Sequence, residues 1–227
     1  MRVLGLETSG VETGLALLDV EGLRAEVTFL HQQQLAARLA PAIEQLLGGV
    51  ELDVTDLEGL AVCVGPGSFT GVRLGVAFTK ALAYGRDIPV VGVGAFQAIA
   101  AEQVPHDDAP RCLFLPAQSG VIYAALPGDD PQEGSWTVAE LAARLSPWEC
   151  LTLVGPAGEA AAALGAALDG HSLRWINARP PAAATIARLG RERLCLGESD
   201  PVHALAPRYL RASTPEIRRQ EAACPPS

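Results

Sequence analysis

A polar turn near the start of the chain carries residue types suited to binding an anion. The turn, Glu7-Thr8-Ser9-Gly10, joins two apolar runs that we expect to pair as a β-hairpin. Hydroxyl groups and a glycine let such a turn present backbone amides to a phosphate. Thr8, Ser9 and Gly10 are therefore the candidate residues for binding a nucleotide, and an ordinary polar hairpin turn is the alternative.

Ser68 marks a second candidate anion site, at a strand-to-helix turn. Gly65, Pro66 and Gly67 separate an apolar run from a predicted helix, and the glycines can take the positive φ that a sharp turn needs. The Ser68 hydroxyl is placed to accept a hydrogen bond from an amide of the first helical turn. The free amides and the helix dipole also favour an anion. A purely structural turn is the alternative.

The residues that carry metal or hydrolytic chemistry lack the necessary spacing. No two of the four histidines are three to five residues apart, whereas a helical metal pair needs an i, i+4 spacing. The sequence around Ser68 does not form a GxSxG nucleophile elbow. Cys63 lies in an apolar run, where packing is the commoner role. We therefore predict no catalytic residue and no metal site in this chain.

Small residues at helical spacing indicate a surface for close helix packing. Gly71, Gly75 and Thr79 are four residues apart on one predicted helix, and Ala36 and Ala40 are four apart on another. Glycine inside a helix costs about 1 kcal/mol relative to alanine, so a close contact should compensate. That contact is made either with this chain's own sheet or with a partner. The residues that we predict at a partner interface are Ala36, Ala40, Ser68, Gly71, Gly75 and Thr79.

Alternating apolar patterns predict the elements that position these residues. In the first half, the strands are predicted at 2–7, 13–19, 23–30, 60–64 and 88–93, and the helices at 32–47, 68–84 and 95–103. Pro41 falls inside the first helix and should bend it. Three strands followed by αβαβα is the order of an actin-type, RNase H-like half domain, so we predict an α/β fold.

The order of elements in the second half of the chain predicts a degraded repeat of the first half. Its strands are predicted at 111–116, 120–126 and 151–154, its helices at 137–145, 158–168 and 182–196, and a surface loop at 129–135. The predicted domains are 1–104 and a smaller 110–200, followed by a segment 201–219 that packs back on the first domain and a frayed tail 220–227.

The stretch Gly65 to Arg73, GPGSFTGVR, followed by Leu74-Gly75, resembles the signature of the TsaB (YeaZ) family. The resemblance covers most of the chain, including VLGLETS at 3–9, IPVVGV at 88–93 and PRYLR at 207–211. These proteins are paralogues of the TsaD/Kae1 class, with which they make threonylcarbamoyladenosine in tRNA. The resemblance implies an α/β protein of two actin/RNase H-like (ASKHA) domains, the second degraded.

The same resemblance implies a non-catalytic scaffold that activates a TsaD-type enzyme. That paralogue would form a heterodimer with this chain, carry the metal, and transfer the threonylcarbamoyl group to the tRNA adenosine beside the anticodon. A TsaE-type ATPase and a TsaC-type enzyme are the further implied partners. ATP and a metal belong to the partner assembly, this chain holds no cofactor of its own, and tRNA is reached only through the complex. A homodimer is expected when the paralogue is absent.

Two segments depart from the family pattern. The family usually has Asp where this chain has Glu7, and the longer carboxylate would shift any Mg²⁺ site. An Asp-Ala-Arg-like segment is replaced by Pro116-Ala117-Gln118-Ser119, which has neither charge. The alternative functions are an ATP-dependent phosphotransferase that uses the first hairpin turn, and a peptidase, for which the metal and nucleophile motifs are missing.

Composition sets outer bounds on the function. The formal net charge of −9 opposes the RNA phosphate backbone, so we expect weak RNA binding by the chain alone. Two arginine groups form either solvated helix faces or a minor part of a shared RNA surface; they are Arg188, Arg191 and Arg193, and Arg208, Arg211, Arg218 and Arg219.

The cysteines and the hydropathy pattern favour the cytoplasm. Five scattered cysteines without a CxxC pair indicate reduced thiols. The N-terminal residues do not show a signal-peptide pattern, and no run of 18 apolar residues predicts a membrane span.

Overall fold

The computed structural model describes residues 1–30, 34–103, 109–117, 120–128 and 130–211. These residues form two mixed five-stranded sheets with helices on their faces. Among the helices in those ranges, none combines the length and the apolarity needed to cross a membrane. The chain is therefore an α/β protein, as predicted.

The first sheet is built by the first 94 residues, with β1 at its centre. Its elements, with the helices that accompany them, are β1 (Val3–Glu7), β2 (Glu12–Asp19), β3 (Gly22–Leu30), α1 (Leu35–Gly48), a 3₁₀ turn (Val54–Asp56), β4 (Gly59–Gly65), α2 (Phe69–Arg86), β5 (Val90–Gly94) and α3 (Ala95–Gln103). The strand order is β3-β2-β1-β4-β5. β2 is antiparallel to both β1 and β3, while β4 is parallel to both β1 and β5.

The second sheet repeats this topology in full. Its elements are β6 (Arg111–Pro116), β7 (Val121–Ala125), β8 (Glu133–Thr137), α4 (Val138–Leu145), β9 (Cys150–Gly155), α5 (Glu159–Ala167), β10 (Ser172–Asn177) and α6 (Ala183–Cys195). The order β10-β9-β6-β7-β8 has the same antiparallel and parallel pairs as the first sheet. The predicted repeat is therefore confirmed, whereas the expected degradation is not seen in the topology, because all five strands are present.

Two strands of the second sheet were not predicted from the sequence. The loop assigned to 129–135 is wrong from Glu133 onward, where β8 begins. β10 was missed altogether. Both are edge strands, and in β8 only Trp136 is buried while β10 is mostly exposed. Neither strand therefore shows the regular apolar alternation by which a strand is recognised.

Helix α6 follows the second sheet in the chain but packs on the first. It contacts β1, β2, β4 and β5. The approach is close because a glycine lies at each contact point. A Cβ on Gly5 of β1 would lie 2.6 Å from Ala187 Cβ of α6, and a Cβ on Gly190 of α6 would lie 2.3 Å from Ala61 Cβ of β4. The range 110–200 thus includes a helix whose core lies with the first sheet, and the division into two domains stays a prediction.

The segment after α6 returns across the first sheet's end. The Gly92 amide donates to the Asp200 carboxylate at 2.7 Å. Lys80 Nζ donates to the carbonyls of His203 and Leu205, at 3.1 Å and 2.9 Å. The Leu205 side chain is buried with the core residues under α1 and α2. Residues 212–219 of this predicted segment and the tail 220–227 lie outside the described residues.

The packing of α6 predicts opposite effects for the same substitution at two helical glycines. Gly190→Ala should lower the free energy of unfolding by about 1–3 kcal/mol, because its Cβ has no room beside Ala61. Gly85→Ala in α2 should raise it by up to about 1 kcal/mol, because a Cβ there meets nothing within 4 Å. Urea unfolding of both variants measures this. Equal stability changes would contradict the close contact.

Candidate functional site

The first hairpin turn packs directly against residues 65–71 at the end of β1. We call residues 65–71 the signature loop. Thr8 Oγ1 donates to the Gly71 carbonyl at 2.9 Å, and this bond is buried. The Ser68 amide donates to the Ser9 carbonyl at 2.6 Å. The two segments in which the sequence predicted separate anion sites thus form one contact.

Three glycines make this contact possible. A Cβ on Gly67 would lie 2.5 Å from the Ser9 carbonyl oxygen, and one on Gly71 would lie 2.0 Å from that of Thr8. On Gly75 it would lie 2.2 Å from Thr8 Oγ1. No side chain fits at these three positions, so the contact requires glycine at each of them. Of the two turn glycines, only Gly65 has a positive φ, +97°, and its bond to Pro66 is cis.

The predicted interface ridge is therefore corrected. Gly71, Gly75 and Thr79 are buried against this chain's own first strand and core, and they do not lie on an exposed helix face. The alternative of packing on the chain's own sheet holds for these three. Ser68 caps α2, as predicted, by accepting a hydrogen bond from the Gly71 amide at 3.3 Å.

Helices α1 and α2 each have an exposed stripe that faces away from the first sheet. Ala36 and Ala40 of α1 are exposed, as an interface would require. On α2 the exposed stripe runs along the side opposite the glycines, and Tyr84 is 85% exposed. We call the following set the α1–α2 face: Ala36, Ala40, Arg73, Ala77, Ala81 and Tyr84.

Sequence reasoning missed the α2 part of this face because it followed glycine spacing. The signal that could have found it is the repeat of Arg73, Ala77, Ala81 and Tyr84 at three and four residues, which places them on one side of a helix. Both helices pack on the same side of the first sheet and bury their leucines and valines there. Their outward stripes therefore belong to one side of the molecule.

Glu7 occupies the polar turn with its own side chain. Its Oε1 accepts from the Ser9 amide at 2.5 Å, and the Gly10 amide also bonds to this carboxylate. Burial raises the pKa of Glu7 above its ordinary value of 4.5, opposed by the Cys63 thiol, Ser9 and the Gly10 amide. Burial and the nearby Glu7 also raise the pKa of Cys63. Cys63 is fully buried, in keeping with a packing role.

This arrangement does not fit a nucleotide phosphate. The amides of Ser9 and Gly10 already face a carboxylate, so a phosphate would meet negative charge where it needs donors. Gly67 and Gly71 lie against the backbone of Ser9 and Thr8, with no room for a side chain between the two segments. Thr8 and Ser9 thus make the internal contact, and nucleotide binding at Thr8, Ser9 and Gly10 stays a prediction.

Other candidate groups are not assembled into a site. Within the described ranges, no three His, Cys, Asp or Glu side chains come together to hold a metal ion. His31, His106, Gln118 and Ser119 lie outside the described residues. The Nδ1 atom of His171 lies 3.1 Å from the Leu168 carbonyl oxygen.

The arginines of α6 are engaged within the chain. Arg188 pairs with Glu192 at 2.8 Å, and Arg191 donates to the Met1 carbonyl. Arg193 pairs with Glu198 and Asp200, at 3.3 Å and 3.0 Å. Neutralised in this way, the group offers little charge to RNA phosphates. In the later group, Arg208 pairs with Glu133, and Arg218 and Arg219 lie outside the described residues.

Comparison with known proteins places this geometry in a family. A family model described as "TsaD: tRNA N6-adenosine threonylcarbamoyltransferase" matches residues 29–144, about half of the chain. The "tRNA threonylcarbamoyladenosine biosynthesis protein TsaB" of Bacillus subtilis is 35% identical over 127 residues. The Escherichia coli protein of the same name is 30% identical over 148 residues. The chain belongs to the TsaB (YeaZ) family.

The matches to these relatives are partial in sequence and nearly complete in fold. The aligned regions cover 56% and 65% of this TsaB-family chain, and 55% and 63% of the two relatives. YeaZ from Pseudomonas aeruginosa, 21% identical, superposes with a TM-score of 0.70 over 92% of this chain and 99% of its own. A ROK hexokinase from Thermus thermophilus, 15% identical, covers 87% and 100% with a TM-score of 0.50. At these identities the two structures show the shared ASKHA-like fold.

The locked turn predicts that Gly75 tolerates no side chain. Gly75→Ala would bring a Cβ to 2.2 Å from Thr8 Oγ1, and it should lower the free energy of unfolding by about 1–3 kcal/mol. Ala77→Gly, two residues along the same helix but exposed, is a control with a cost of up to about 1 kcal/mol from helix propensity alone. Thermal unfolding compares the two. An unchanged melting temperature for Gly75→Ala would show that the ridge does not face Thr8.

Buried Glu7 predicts a pH-dependent stability difference. The folded state holds the Glu7 proton more tightly than the unfolded chain does, so this group favours folding below pH 4.5. That contribution is lost as the pH rises through the raised pKa. Glu7→Gln stays neutral, so its stability relative to the native chain should increase as the pH rises above 4.5 and through the raised pKa of Glu7. Urea unfolding across this range measures the difference.

The matched control for this pH series is Glu44→Gln, at an exposed position on α1. It separates the effect of a buried carboxyl from the general effect of removing one negative charge. A Glu7→Gln difference that is constant with pH, or that falls as the pH rises, would contradict a raised Glu7 pKa.

Proposed function

We propose that this chain is the non-catalytic subunit of an assembly that makes threonylcarbamoyladenosine in tRNA. In this role it binds and activates a TsaD-type paralogue, which carries the metal and transfers the threonylcarbamoyl group. Membership of the TsaB family supports the pathway. The α1–α2 face is the observation that carries the subunit role.

The chemistry of the chain supports a subunit that does not catalyse the transfer itself. The hairpin turn that an actin-like enzyme would use for phosphates is filled by Glu7 and closed by the signature loop. Cys63 is buried and its pKa is raised, so it is a poor nucleophile. Any ATP and metal of the reaction therefore belong to the partner proteins in this proposal.

The α1–α2 face has the properties of a helix-docking surface. Ala36, Ala40, Ala77 and Ala81 are small and exposed, so a partner helix can approach the two backbones closely. Tyr84, 85% exposed, offers a large amphipathic contact at one end. Arg73 lies over the Phe69 ring, 4.9 Å from its centroid, and provides a positive group at the other end.

The occupant that we propose for this face is a TsaD-type paralogue, or a second copy of this chain when the paralogue is absent. A TsaE-type ATPase joins the assembly thus formed. The tRNA is bound through the complex, because the chain has a net charge of −9 and its α6 arginines are engaged internally.

The interface is tested by a charged substitution at an exposed alanine. Ala77→Arg places a long cation in the middle of the α1–α2 face, so the variant should fold normally and lose the paralogue. Ala166→Arg, on the exposed side of α5, is the matched control and should keep it. Co-purification with a TsaD-type protein and the melting temperature of each variant are measured. A folded Ala77→Arg that still binds would exclude this face.

The subunit role is tested by reconstitution with tRNA and threonylcarbamoyl-AMP. The chain alone should give no modified tRNA, the paralogue alone little, and both together a much higher yield. Ala77→Arg should abolish the increase while Ala166→Arg retains it. Modification by the single chain would contradict the non-catalytic role.

A further inference from the structure

A cavity of about 750 Å³ lies between α3 and the second sheet, away from the α1–α2 face. Its walls are mostly apolar and include Phe96, Leu113, Ala125 and Trp148. The polar side chains among them are those of Gln97, Arg111 and Glu133. Cavities of this size, mostly apolar with a few polar groups, are typical of small-molecule sites. Nothing in the proposed subunit role uses this cavity.

The strand register explains the space above the second sheet. Leu113 of β6 pairs with Ala125 of β7, which pairs with Glu133 of β8, so the three share a row across the sheet. The central position of the row has only a methyl side chain. On the facing helix the lining residue Ala100 is also small. A gap therefore opens beside the carboxylate of Glu133.

Glu133 has one oxygen that the chain satisfies and one that it does not. Arg208 Nη1 donates to Oε1 at 3.1 Å. Oε2 is buried, and no donor among the described residues reaches it. The side chain is 12% exposed, and burial raises the pKa of Glu133 while Arg208 opposes this shift. A buried acceptor without a donor is costly, so a donor from outside the chain would stabilise this site.

The charges around the cavity select the kind of donor. Glu133 already shares its charge with Arg208, and Arg111 also lines the cavity. An ammonium group would meet these guanidinium groups, and an anion would meet the carboxylate. A neutral N–H group satisfies the oxygen without burying a further charge. Phe96 and Trp148 in the walls favour an aromatic body.

We propose that this cavity binds a small neutral molecule with an aromatic body and an N–H donor, such as an amide or a nucleobase, which donates to Glu133 Oε2. This site is separate from the proposed partner interface. Its ligand would enter beside α3, with the apolar part against Phe96 and Trp148.

The test compares three probes that share one ring system. These are 1-naphthaleneacetamide, 1-naphthaleneacetate and 1-naphthylmethylamine, which are a neutral donor, an anion and a cation. Ligand-detected NMR and calorimetry with the full chain should show binding of the amide at least about tenfold tighter than that of the other two. Equal affinities, or no binding of the amide, would overturn the proposal and leave Glu133 solvated by water.

Three variants locate the binding. Glu133→Gln keeps an oxygen for Arg208 and turns the free acceptor into a donor, so amide affinity should fall about tenfold and the acetate should gain. Ala100→Trp, at an exposed lining position of α3, should block the cavity, whereas Ala101→Trp next to it should not. If Glu133→Gln does not fold, the comparison of Ala100→Trp with Ala101→Trp still tests the site. Amide binding that survives both Glu133→Gln and Ala100→Trp would place the probe elsewhere.

Discussion

The first sheet depends on a place where two backbones meet with no side chain between them. At the end of β1, the carbonyls of Thr8 and Ser9 approach Gly71 and Gly67 so closely that a Cβ on either glycine would overlap them. The buried Thr8 hydroxyl then bonds the Gly71 carbonyl. Glycine is thus sterically required in the signature loop, because its absence of a side chain lets α2 begin directly against the first strand. This contact sets the position of the whole helix.

The position of α2 decides which of its sides is left for other molecules. With Gly71, Gly75 and Thr79 held against the sheet, Ala77 and Ala81 on the other side must face outward. The same first sheet is held on its opposite face by α6, where Gly5 and Gly190 again replace side chains by backbone contact. Helices therefore pack closely on both faces of the first sheet. The outward-facing stripe of α2 is therefore fixed by packing within the chain.

Local patterns predicted most elements, because their residues are buried on one side or both. β1 and β2, α2 with its Ser68 cap, and α3 at 95–103 follow from apolar periodicity and turn chemistry. β8 and β10 were missed because an edge strand is fixed by pairing with its neighbour and shows little burial of its own. The packing of α6 on the first sheet depends on contacts between distant parts of the chain, which periodicity does not contain.

The candidate site was harder to predict for a related reason. A row of glycines on a helix allows close packing either against a partner's backbone or against the chain's own backbone. Only the three-dimensional position of Thr8 decides between the two. Likewise, the sequence shows a Thr-Ser-Gly turn with amides to offer, but it does not show where the preceding Glu7 side chain points. In the structure it points back into the turn.

Glu7 also connects the fold to the chemistry of the first hairpin turn. A buried carboxylate needs donors, and the amides of Ser9 and Gly10 are the donors at hand. These amides bond the Glu7 carboxylate, although its Oε2 has no donor among the described residues. The signature loop covers the turn. The covering in turn buries Glu7 and Thr8 and raises the cost of reopening the turn. An actin-like architecture is thereby retained while its first hairpin turn becomes part of the core, and the α1–α2 face stays exposed.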